Sequence, residues 1–138
     1  MSEEKETIVI KVERCCINPK YTFWGFTGES CVLAFSSKGR LFVLPSIDFI
    51  KNLQAHSSIR EARKFVKEVR EQDKRDENLS IEQCEKLATT IITKEEIKEH
   101  KISSNWIRIR YIIVLNTGQK IEMGTLDQTN MKKLFSNL

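Results

Sequence analysis

Cys15-Cys16, Cys31, Cys84, His56, His100 and the carboxylate pairs Asp76-Glu77 and Glu95-Glu96 are the side chains with types suited to metal binding or catalysis. Their spacing argues against both. Adjacent cysteines are badly placed to hold one tetrahedral ion, and no Cys-x-x-Cys is present. His56 and His100 have no partner at i+4 or at any other ligand spacing. Both carboxylate pairs sit in charged, turn-like contexts where solvation is the ordinary state. There is no Gly-x-Ser-x-Gly, no glycine-rich phosphate loop and no His-Glu-x-x-His. The expectation is a protein without metal, cofactor or catalytic residues, whose thiols behave as small hydrophobes.

Binding chemistry is better represented. Over residues 59–75 a helical period aligns Arg60, Arg63, Lys67, Arg70 and Lys74 within a stripe of about 80°, with Glu61, Glu68 and Glu71 farther round. Aligned cations suit phosphates, an anionic bilayer or an acidic protein groove. The same side chains equally serve as a solvated edge whose aliphatic stems cover the core. Residues 60–77 hold seven positive and six negative side chains, so most of the field cancels. A second group is Trp106, Arg108 and Arg110, which alternate on one face of a predicted strand. Their guanidiniums would stand about 7 Å apart. Exposed, this face would suit a protein interface or stacked bases; alternatively, a helical segment packs over it and buries Trp106.

The elements that position these residues follow from periodicity. Residues 106–115 carry Ile107, Ile109, Tyr111, Ile113 and Leu115 on one side, the pattern of a half-buried strand. Asn116-Thr117-Gly118 makes the turn, and Ile121 and Met123 continue the apolar face on the return strand. Asp127 then caps a helix with Met131, Leu134, Phe135 and Leu138 on one stripe. Earlier, residues 7–12 read as a strand, 15–20 as a loop broken by Asn18-Pro19, and 21–26 as a second strand or an ordered approach to one. Residues 31–35 and 40–44 form a hairpin across Ser36-Ser37-Lys38-Gly39.

A helical block spans about 46–88. Ile47, Phe49, Ile50 and Leu53 suggest a short helix. Capping boxes at Ser58–Glu61 and Ser80–Gln83 then open a helix to about Arg75 and another with Cys84, Leu87 and Ala88 inward. Thr89-Thr90-Ile91-Ile92 returns to strand, Thr93-Lys94-Glu95-Glu96 has room to cap only a short helix, and 98–102 is extended. The whole reads as one α+β domain, a bent antiparallel sheet of six to eight strands with a helical insertion.

At 138 residues, with 40% hydrophobic and 30% charged side chains, the chain has the composition of a globular protein. No apolar run approaches the roughly 20 residues that span a bilayer. The acidic beginning, Ser2-Glu3-Glu4-Lys5-Glu6, lacks the order of a secretory signal. The expected location is cytoplasmic, with reduced thiols. A net charge of +4 tolerates anionic partners without requiring them.

The stretch Glu29-Ser30-Cys31-Val32-Leu33-Ala34-Phe35-Ser36-Ser37-Lys38-Gly39-Arg40-Leu41-Phe42-Val43 resembles the early hairpin of prokaryotic pleckstrin-homology-like and GRAM-like domains. Residues 92–102, the following hairpin and the terminal helix are similar to that family's second half. The resemblance covers roughly two thirds of the chain. It implies about seven bent strands closed at one end by the C-terminal helix, and a binding role toward proteins, phosphoinositides or other anionic ligands. The 46–88 block departs from the family, and the first hairpin lacks the alternating cations of lipid-binding members.

The functional expectation is a non-enzymatic module for a protein partner, acting through Trp106, Arg108 and Arg110. An anionic ligand on the Arg60–Lys74 stripe, nucleic acid before membrane, is the alternative. An enzyme without a recognisable motif stands third.

Overall fold

The computed structural model describes residues 5–22, 25–46, 59–77, 79–104, 106 and 108–138. In chain order the elements are β1 (Ile8–Thr22), β2 (Gly25–Ser36), β3 (Arg40–Pro45), α1 (Ile59–Glu77), α2 (Ile81–Leu87), β4 (Thr90–Thr93), β5 (Ile97–Ser104), β6 (Ile109–Leu115), β7 (Lys120–Thr125) and α3 (Gln128–Ser136). All seven strands join one antiparallel sheet in the order β4-β3-β2-β1-β7-β6-β5. The outermost strands β4 and β5 are linked only by a 3-10 turn, Lys94–Glu96. So short a link brings the two edges together at that corner, and the open sheet must roll.

The inner face of the roll holds the main core. Val12, Leu33, Leu41, Tyr111, Ile113 and Met123 are closed over by Met131, Leu134 and Phe135 of α3. The Asp127 side chain accepts the Asn130 amide at 3.3 Å, so the helix begins where the sequence places it. A second cluster lies on the opposite face, where Val32, Ala34, Phe42 and Leu44 meet Cys84 with Leu79, Ile81 and Leu87. Alternate residues of β2 therefore feed two cores. That explains an unbroken apolar run, Cys31 to Phe35, in a strand with neighbours on both sides.

Three expectations need correction. Residues 15–20 are not a loop between two strands; they belong to a single long β1 paired with β2 as far as Thr22. Register shifts at Val12/Cys15 and Ile17/Lys20 coincide with left-handed backbone at Arg14 (φ 53°) and Asn18 (φ 49°). Pro19 falls inside the second irregularity, where a missing N–H breaks no ladder. The strand expected from Trp106 begins at Ile109, because Ser104 already pairs with Ile109 and Trp106 lies in the bend between β5 and β6. The helix opened near Ser58 runs to Glu77, two residues beyond Arg75. Ser58 itself, and the short helix read around Ile47 to Leu53, lie outside the described residues.

Both glycine turns behave as their sequences demand. Gly39 (φ 81°) and Gly118 (φ 90°) are left-handed, and a Cβ on Gly39 would stand 2.7 Å from Cδ of Lys94. Lys94 N donates to the Gly39 carbonyl at 2.9 Å, which ties the 3-10 turn to the β2–β3 hairpin.

Candidate interaction surface

Trp106 sits in the bend between β5 and β6, with 93% of its surface exposed. The described helices of the insertion therefore leave Trp106 itself uncovered. It also leaves the strand face it was expected to share with Arg108 and Arg110. Arg108 and Arg110 are half-buried. Nε of Arg110 donates to Oε1 of Glu122 at 2.7 Å, and its Nη2 reaches the same oxygen, so the guanidinium is engaged across the β6–β7 pair. Ile112, on the same face of β6, is 2% exposed. The β6 face is thus partly covered and charge-paired, and the exposed indole stands beyond the start of the strand.

Beside the indole lies β5, the last strand of the sheet. From Lys98 to Ser104 all of its side chains are exposed, Ile102 to 43%. Lys98, Glu99 and Lys101 give this strand mixed charge, a usual guard on a sheet edge. His100 packs edge-on against Phe135 at 6.1 Å, which holds β5 to α3.

The other predicted site is on α1. Arg60, Arg63, Lys67, Arg70 and Lys74 are all exposed, as the stripe required. Ile59 and Val66 are exposed with them, at 75% and 46%, and line a shallow groove with Arg63, Lys67 and Arg70. The C-terminal end of α1 is where the helix is tied down. Nζ of Lys11 donates to the Asp76 carbonyl at 2.8 Å, and Nη2 of Arg75 to that of Pro45 at 3.4 Å. Asp76 is buried there beside Arg75, its carboxylate accepting from Nε at 3.0 Å. The two candidate patches therefore occupy separate elements, with no strand carrying both.

No protein-family model, curated protein or solved structure matches this chain.

All four cysteines are buried and free of disulfides. Cys15 pairs in register with Cys31 across β1 and β2, and that neighbour together with burial pushes the Cys31 thiol well above the usual range. Burial also raises Cys84. Thiols held neutral in this way are poor nucleophiles. Among the described residues no group of three or more His, Cys, Asp or Glu is placed to hold a metal ion. Nor is any described helix long and apolar enough to cross a membrane.

Two pairings escaped the sequence reading. The Arg110–Glu122 bridge becomes visible once the Asn116-Thr117-Gly118 turn is used to fix register, because that register sets Arg110 diagonal to Glu122. Arg40 is the second. It holds Glu6 through Nε (3.0 Å) and Nη2 (2.5 Å), bonds Glu85 at 3.1 Å, and lies 5.0 Å from the Phe42 ring centre. These partners are 34 and 45 residues away, and no local pattern announces them.

Proposed function

We propose that the protein is a non-enzymatic binding module for a protein partner, docking at the corner formed by Trp106 and the exposed strand β5. The observation that carries this reading is the 93% exposure of Trp106. An exposed indole costs solvation free energy that burial against a partner returns, and tryptophan is enriched among residues that dominate protein interfaces. Charge around it is mixed rather than basic, and Arg110 is already paired with Glu122. That favours a protein surface over a phosphate backbone. Seven strands in one rolled sheet with a helix across one end support a pleckstrin-homology-like architecture for this module. The test is affinity capture from nuclease-treated lysate of the native host. Trp106→Ala should lose the partner while melting as wild type does, because the removed side chain touches little. Full recovery of the partner by that variant would refute the proposal.

The groove on α1 supports a second reading, an anionic ligand held by Arg63, Lys67 and Arg70, nucleic acid before membrane. Three phosphate contacts would give a slope of about −2 to −3 in log affinity against log salt. A labelled single-stranded oligonucleotide titrated at several salt concentrations measures it. A slope near zero, or one unchanged in Arg63→Glu/Lys67→Glu, would exclude this reading.

A further inference from the structure

We infer that the end of the rolled sheet opposite α3 is a binding site for a small apolar molecule carrying a positive end. Two features of the fold lead there. Met131, Leu134 and Phe135 fill the interior at the Tyr111 end, and Phe135 meets the Tyr111 ring edge-on at 5.2 Å. At the other end, near the β6–β7 turn, no helix closes the roll among the described residues. A cavity of about 150 Å³ remains between the sheet's two halves. Cys31, Leu41, Ile92 and Met123 line its inner part, all of them buried.

Its mouth is built from a different kind of residue. Asn18 and Glu29 come from the β1–β2 side, Gln119 from the β6–β7 turn, and Thr89 and Thr90 from the start of β4. The apolar inner part has room for one benzene-sized ring, a volume that apolar cavities are known to accept. Among the described residues Glu29 is the one charged side chain in the lining, so a polar end leaving through the mouth meets a carboxylate and amide or hydroxyl groups. That combination favours an ammonium over a carboxylate. The site lies away from the β5–β6 bend holding Trp106, and it stands or falls independently of the protein-partner reading.

Benzylamine, benzene and benzoate are suitable probes, followed through methyl NMR shifts of Leu41, Val43, Ile92 and Leu115 in the whole chain. The expected result is saturable shifts confined to these methyls with benzene and benzylamine. Benzylamine should bind at least about fivefold tighter than benzoate, the factor given by roughly 1 kcal/mol of partly screened attraction. Glu29→Gln should erase that preference while keeping benzene binding. Thr90→Tyr, at an exposed mouth position, should block all three probes without unfolding the core. Linear or dispersed shifts, an equal affinity for benzoate, or binding undiminished in Thr90→Tyr would each overturn the assignment.

Discussion

Glu6 and Asp76 give the molecule opposing responses to pH, and both follow from single contacts. Glu6 receives the Arg40 guanidinium and the Ser36 hydroxyl, so its carboxyl is held below its ordinary value near 4.5. The folded state then binds protons less readily than the unfolded one. Its contribution is present above about pH 4.5 and is lost as pH falls through the lower folded value. Asp76 is the reverse, because burial raises its carboxyl above 3.8 despite Arg75. Its charge destabilises the fold at neutral pH, and acid relieves that penalty. Thermal melts across acid and neutral pH should show Glu6→Gln less stable than wild type at pH 7, with the gap closing in acid. Asp76→Asn should melt higher than wild type at pH 7 and lose that advantage below about pH 3.8. Asp76→Asn melting lower at neutral pH would show that the Arg75 contact outweighs burial. Neither role was legible in the sequence, where Asp76 reads as a solvated turn residue and Glu6 as part of an acidic terminus.

Elements were legible where a local signal decides them. The Ser80–Gln83 capping box forms with both reciprocal bonds at 3.2 Å, and removing such a cap costs about 1 kcal/mol. Asp127, Gly39 and Gly118 likewise stand where their residue types predict. Long β1 was misread because Asn18-Pro19 signals a break, whereas the β2 ladder on one side and β7 on the other absorb it as an irregularity. The Asn18 side chain even accepts the Glu122 amide, at 3.5 Å. Helix α1 forms where its period placed it, yet Ile59 and Val66 of its apolar stripe remain in solvent. Anchored near Arg75 and Asp76, α1 should open at lower free energy than the sheet. Hydrogen exchange should therefore be faster for amides of Val66 to Arg70 than for Arg110 to Val114. The opposite order would contradict a loosely held helix.

At the scale of the whole molecule, the strand order is what sequence could not supply. Pairing β1 with β7 joins residues over a hundred positions apart, as in Cys15 with Thr125, and nothing local encodes that choice. The candidate patches lie on separate elements, the cations on α1 between β3 and β4 and Trp106 between β5 and β6. The proposed protein interface rests on one exposed indole as its anchor. The dissociation constant of the purified complex with the captured partner, by calorimetry on wild type and Trp106→Ala, tests this most directly. An anchor of this kind is worth at least about 2 kcal/mol, so the variant should bind roughly 30-fold more weakly with an unchanged melting temperature. A folded Trp106→Ala whose affinity stays within about twofold of wild type, less than 0.5 kcal/mol, would contradict the account.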